Sequence, residues 1–260
     1  MFSNIGSLLS NYFSFYLHGT LATIVLSIVG TLGGLFLGIF LAFGKTLKTK
    51  GRPWYRQLYL WPIKAICNVY SVVIRGTPMM VQAMLFKYAS QGMGINWNNV
   101  LKGVDTWNGW FIGGLIVITF NTAAYIGEII ISGLNGVDKG QVEGAKSLGM
   151  TDMQTLFHVT LPQALRNSIP TIGNEWIVNI KDSSVLNVMG VVELFSQGNS
   201  AASRNYMYLA SYTIISIIYL VLTLVTTALL KFITDKMDGK KYKFSWKNLF
   251  FHYHKGNADA

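Results

Sequence analysis

The sequence predicts an all-α integral membrane protein of five transmembrane helices, with its N-terminus outside and its C-terminus in the cytoplasm. Three observations carry this prediction. Only 12% of the 260 residues are charged, against about 25% in ordinary soluble domains. No Asp, Glu, Lys or Arg occurs before Lys45. Apolar runs long enough to cross about 30 Å of hydrocarbon recur along the chain, and in that solvent a helix satisfies its own backbone groups. The net charge of +10 is read as asymmetric loop charge rather than as a footprint for nucleic acid, and no nucleic-acid partner is expected. Cys67 is the single cysteine, which excludes an intrachain disulfide and argues against a Cys-based metal site.

The first span covers about 17–43. No basic segment or small-residue cleavage site precedes it, so it reads as a retained span rather than a signal peptide. Gly30, Gly34 and Gly38 recur every four residues along it, a small-residue face suited to close helix contact. The second apolar region, about 58–89, is too long for one straight crossing and is interrupted by Arg75-Gly76-Thr77-Pro78. Thr77 is expected to cap a new half-helix with Pro78 as its first residue. The third span covers about 110–131, the fourth about 168–192 and the fifth about 207–230. Residues 1–235 thus form the membrane domain, with a cytoplasmic loop at 135–165, and 236–260 form a basic cytoplasmic tail.

Orientation follows from the loop cations. Lys45, Lys48, Lys50, Arg52 and Arg56 follow span one; Lys139, Lys146 and Arg166 lie around the central loop; seven lysines follow span five, from Lys231 to Lys255. The opposite side offers Lys102, Arg204 and Lys87. The positive-inside rule then places the central loop in the cytoplasm. Within that loop Asp138 and Gln141 resemble the start of a capping box, Gly149 is a natural left-handed stop, and Pro162 opens the next element.

Glu143-x-Ala145, Gly149 and Leu161-Pro162 resemble the coupling loop of bacterial ATP-binding-cassette (ABC) importer permeases, whose hallmark runs Glu-Ala-Ala, Gly, hydrophobic-Leu-Pro. Gly144 stands in place of the first Ala. Ile74 to Gln82 and Lys181 to Val185 narrow the likeness to the polar amino acid uptake branch (histidine-, glutamine- and arginine-type permeases), and it extends over roughly residues 15–235. The resemblance implies the ABC type I importer permease fold in a bacterial cytoplasmic membrane. It also implies a second permease, identical or homologous, a pair of ATPase subunits that bind ATP and Mg, and an extracytoplasmic solute-binding protein. Gln141, Glu143, Gly144, Ala145, Leu148 and Gly149 are then the residues expected to engage the ATPase. This chain would hold no cofactor or metal and catalyse no bond-breaking. Gly44-Lys45-Thr46 is not a phosphate loop, because Ile39 stands where the required glycine would be and no strand precedes it.

Charges retained in apolar spans mark candidate pathway residues. Arg75 and Thr77 lie at the break in the second region, where half-helix amides suit a carboxylate; a second reading has Arg75 pair with a buried acid and hold the fold. On the fourth span Glu175, Asn179 and Asp182 share one face and Asn174 and Lys181 another, the two charges that a zwitterion meets, or else a set of helix contacts. Ser183 and Ser184 complete the set. An ion-coupled secondary transporter is the alternative function, but no internal repeat supports it. A membrane enzyme would call for a convergent nucleophile–base set, which the four scattered histidines do not supply.

Overall fold

A computed structural model describes residues 2–47, 54–97, 109–237 and 239. The loop cations Lys48, Lys50, Arg52 and Lys102, and the tail from Lys240 onward, lie outside the described residues. Ten α-helices run through the described part: α1 (Phe2–Asn11), α2 (Phe13–Thr46), α3 (Trp54–Gly76), α4 (Met79–Gly92), α5 (Trp110–Asn135), α6 (Lys139–Ser147), α7 (Asp152–Thr155), α8 (Leu161–Asp182), α9 (Leu194–Asn205) and α10 (Tyr208–Met237). A π turn at Leu156–Thr160 joins α7 to α8, and a 3-10 segment at Ser183–Met189 extends α8. Helices α1 and α9 had no counterpart in the sequence expectation. Leu8 of α1 packs with Tyr16, Leu194 and Ile214, so α1 closes one end of the bundle.

The pair α2 and α5 is the backbone of the fold, and the glycine stripe explains why. A Cβ at Gly30 would lie 2.6 Å from Ile118 Cγ2, one at Gly34 2.8 Å from Thr122 Cβ, and one at Gly38 3.0 Å from Ile126 Cγ2. Each glycine therefore receives one side chain of α5 at matching four-residue spacing. Where lipid replaces water, such close packing supplies much of the attraction between helices. Leu26, Phe111, Ile118, Leu186 and Met189 fill the core toward the α9 end. Ala42, Ile126 and Ile130 fill it toward the α6 end.

Three helices, α2, α5 and α10, are long and apolar enough to cross a membrane among the described residues. The second apolar region is two helices, α3 and α4, bent by 110° at the break between them, that together pass the same test. Helix α8 does not pass it, because Arg166, Glu175, Lys181 and Asp182 interrupt its apolar character.

The break between α3 and α4 differs in detail from expectation. Pro78, in an extended conformation, is the N-cap, and α4 begins at Met79. Thr77 does not cap α4. Its hydroxyl donates to Val73 O at 2.8 Å and so closes α3. The reason lies in Pro78 itself: its ring disfavours helical geometry at the preceding residue and supplies the extended turn that a capping Thr would otherwise make.

Pro162 sits at the start of α8, yet α8 has no free N-terminus. The Leu161 amide bonds back five residues to Leu156 O, a wide turn placed just before the proline that cannot donate. Residues 152–182 are consequently one continuous rod. Thr151 starts it with a full capping box, its hydroxyl accepting from the Gln154 amide while Gln154 Oε1 accepts from the Thr151 amide.

Candidate functional site

The first part of the site is the knob formed by α6 and the turn after it. Asp138 Oδ1 accepts from the amides of Gly140 (2.6 Å) and Gln141 (3.3 Å), satisfying donors that a helix start leaves open. At the other end the Gly149 amide donates to Lys146 O at 3.0 Å and the Met150 amide to Ala145 O at 3.3 Å. This is a Schellman stop, with Gly149 in the left-handed region at φ +82°. Nine helical residues closed at both ends make a stiff unit.

Ala145 and Val137 are buried and fix the knob to the body, where α6 packs against the π turn. Ala145, expected at the partner surface, faces inward instead. Its small side chain lets α6 approach the rod that leads into α8. Gln141, Glu143, Gly144, Leu148 and Gly149 are exposed. Leu148 is 86% exposed, and Met153 and Phe157 beside it are 61% and 49% exposed. These three apolar side chains, the tip of the knob, stand exposed at the end of α6, on α7 and on the turn that follows, among the polar residues Glu143, Lys146 and Asp152 of the same segment. Lys146 pairs with Asp152 at 2.7 Å, and the Phe157 ring lies 6.2 Å from that of Phe43 at the end of α2. The tip is thus linked to α2 as well as to α8.

The second part is a charged cluster at the α6 end of the bundle. Glu128 of α5 accepts from Lys45 of α2, from the Ser71 hydroxyl at 3.1 Å and from Arg75 at 3.3 Å. Arg75 also lies 5.7 Å from the Tyr125 ring centroid. One carboxylate therefore ties α2, α3 and α5 together, and two cations compensate it, which makes its cost in the membrane tolerable. Glu128 also borders a cleft of about 380 Å³ lined by Ser132, Asn167, Ser168 and Thr171 between α5 and α8.

Just above the cluster, the elbow between α3 and α4 is held by Gln82. Its amide nitrogen donates to Ile74 O (2.8 Å), Thr77 O (3.0 Å) and Thr77 Oγ1 (2.9 Å). Its oxygen accepts from Asn121 Nδ2 at 2.9 Å. A helix end broken inside apolar surroundings leaves carbonyls without partners, and Gln82 fills that need.

The third part is α8. Asn174 and Lys181 are exposed, and Glu175 and Asp182 are half-buried. Asn179 stands apart from them. It is buried, accepts from the Thr122 hydroxyl at 3.1 Å and donates to Thr31 Oγ1 at 2.8 Å. Its amide joins α8 to α5 and α2, so Asn179 itself makes a helix contact, where the sequence had left helix contact and pathway as alternatives for its face. Ser183 is buried and bonded to Ile180 O, whereas the Ser184 hydroxyl, on the outer side, donates to Lys181 O. The sequence-predicted set thus divides: Asn174, Lys181 and Ser184 share one accessible face, and Asn179 and Ser183 serve the packing.

Among known proteins, the family described as "binding-protein-dependent transport system inner membrane component" matches residues 34–239. The chain belongs to that family. The glutamine transport system permease protein GlnP of Escherichia coli (strain K12) is 32% identical to this permease over 221 residues, covering 85% of this chain and 92% of the relative. A putative glutamine transport system permease protein of Rickettsia conorii is 29% identical over 224 residues, covering 86% and 93%. A crystal structure of an amino acid ABC transporter with histidines superposes with a TM-score of 0.76 at 32% identity, covering 88% of this permease and 96% of that chain. An inward-facing methionine ABC transporter, MetNI, shares the fold at TM-score 0.62 and 17% identity, covering 86% and 95%.

Sequence reasoning missed three polar groups that hold the permease together. Gln82 was legible only as part of a motif. The capping box at Thr151 and Gln154 carried its own S/T-x-x-Q signature and could have been found. Glu193 gave no such signal. It is fully buried at the start of α9 and accepts from the amides of Phe195 (2.9 Å) and Ser196 (2.8 Å), the Tyr219 hydroxyl (2.7 Å) and, at 3.5 Å, the Thr23 hydroxyl. It locks α9 to α2 and α10.

Proposed function

We propose that this permease carries polar amino acids inward across the bacterial cytoplasmic membrane, driven by ATP hydrolysis on a separate pair of ATPase subunits. A second permease copy or homologue completes the path, and an extracytoplasmic solute-binding protein delivers the cargo. The relatives named for glutamine make glutamine the first cargo to test. Five crossings, formed by α2, the bent pair α3–α4, α5, α8 and α10, give an outside N-terminus and a cytoplasmic C-terminus, and the loop cations support that orientation.

The observation that carries this reading is mechanical. An exposed tip at Leu148, Met153 and Phe157 stands on a doubly capped knob, and the knob packs on a rod unbroken from Asp152 to Asp182. The far end of that rod bears Lys181 and Asp182, with Ser184 just beyond. Force applied at the tip reaches the pathway face of α8 along one helical path, which carries the π turn and Pro170 within it. Gln141, Glu143, Gly144 and Leu148 meet the ATPase, Gly149 and Ala145 set the shape of the knob, and Arg75, Asn174, Glu175, Lys181, Asp182 and Ser184 border the path. Asn179 and Ser183 act through helix packing there, and Thr77 through the end of α3 that it closes.

Reconstituted transporter with labelled glutamine and saturating binding protein tests the reading. Leu148→Asp is expected to bring ATP-driven uptake to background while receptor docking persists. Undiminished uptake in Leu148→Asp overturns the assignment of the knob.

A further inference from the structure

A second feature lies on the opposite flank of the bundle, away from Glu128 and the elbow. A cleft of about 490 Å³ opens between α2, α8 and α10, walled by Leu32, Leu35, Ile169, Ile172, Trp176 and Ile233. Thr31 and Trp176 supply the polar atoms of its lining, and both are already bonded: Thr31 Oγ1 donates to Ser27 O at 2.7 Å and accepts from Asn179, and Trp176 Nε1 donates to Ser27 Oγ at 3.3 Å. What the cleft offers a visitor is hydrocarbon alone. Two of its three walls, α2 and α10, are long and apolar enough to cross a membrane, so the cleft lies at the depth of acyl chains.

One end of the cleft is charged. Arg166 directly follows Leu165, a lining residue of α8. It is exposed, and its guanidinium donates to Met237 O at the end of α10. Lys236 is exposed one turn beyond Ile233. Lys231 and Asp235 are half-buried on the same stretch of α10, and Lys240, Lys241 and Lys243 follow in sequence. An apolar slot that ends at clustered cations matches a molecule with an apolar tail and an anionic head.

We propose that this cleft is a binding site for an anionic glycerophospholipid, with an acyl chain between α2, α8 and α10 and its phosphate at Arg166 and Lys236. The site bears on transport, because α8 forms one wall of the cleft and also the rod that leads from the knob. Trp176, in the wall, is a built-in reporter.

The test uses the assembled transporter in nanodiscs carrying acyl-brominated lipid, with the Trp176 signal taken as the difference between the parent and Trp176→Phe. Brominated phosphatidylglycerol is expected to quench Trp176 at a mole fraction lower by at least about tenfold than brominated phosphatidylcholine, since each cation near the surface favours an anionic head. Arg166→Gln combined with Lys236→Gln should abolish that preference and leave quenching by either lipid. Should the double variant assemble poorly, native mass spectrometry of the parent reads the same preference as retained phosphatidylglycerol. Equal quenching by both lipids, or none, overturns the proposal. So does efficient disulfide formation between two copies carrying Leu35→Cys, which would assign the face to a second permease.

Discussion

At the residue scale, the behaviour of the knob turns on one backbone angle. Gly149 sits at φ +82°, and a β-branched residue there is strained by about 1–2 kcal/mol or more. Gly149→Val should therefore unwind the stop of α6 and reduce ATP-driven uptake by at least about tenfold, the factor that 1.4 kcal/mol makes in an equilibrium, with receptor binding retained. Gly144 is the useful control. A Cβ there meets nothing within 4 Å, and alanine is the better helix former by about 1 kcal/mol, so Gly144→Ala should transport at least as well as the parent. At the opposite end, Glu193→Ala would orphan two amides and the Tyr219 hydroxyl in a fully buried position. Each unsatisfied buried group costs about 1–3 kcal/mol. Thermal unfolding of the purified permease should show a marked drop, and Tyr219→Phe added to Glu193→Ala should lower the midpoint little further.

Among the elements, the contact between α2 and α5 is the one most exposed to a single change. Gly34→Leu forces a Cβ to within 2.8 Å of Thr122 and 3.2 Å of the Ala123 amide nitrogen, and Thr122 also anchors Asn179 of α8. Overpacking of this kind costs about 1–3 kcal/mol. The expected readout is a lower unfolding midpoint and reduced yield in membranes, and wild-type stability would mean that α2 and α5 can move apart freely. This contact was legible from the four-residue glycine spacing, because close packing demands small residues in one row. The elbow was half legible: Gly76-Thr77-Pro78 announced a break, but not that Pro78 would be the cap or that Gln82 would serve the exposed carbonyls, since those depend on Asn121 brought near from α5. Helix α9 was not legible, because its length is below a span and Glu193, which starts it, finds its partners in α2 and α10. Asn179 looked like part of a polar stripe along one helix; only the assembled bundle reveals Thr31 and Thr122 opposite it.

For the molecule as a whole, the proposed function makes the permease a lever on a closely packed bundle. Its knob is attached through Ala145, Val137 and the Phe43–Phe157 contact, and its long arm is the continuous rod through Pro162. Glu128, Lys45 and Arg75 clamp α2, α3 and α5 at the end where the lever enters. Arg75→Ala should reduce transport at normal expression, since it frees α3 from Glu128 and removes a cation that the proposed function sets beside the path; unchanged kinetics would take Arg75 out of both roles. The most direct measurement of the lever is a site-specific crosslink from Leu148→Cys to the ATPase subunit, followed through a turnover cycle. The account predicts efficient crosslinking in every nucleotide state, together with a change in spin-label distance between Lys181 and its counterpart in the second permease when ATP is bound. A Leu148 side chain that meets only solvent throughout the cycle would contradict it.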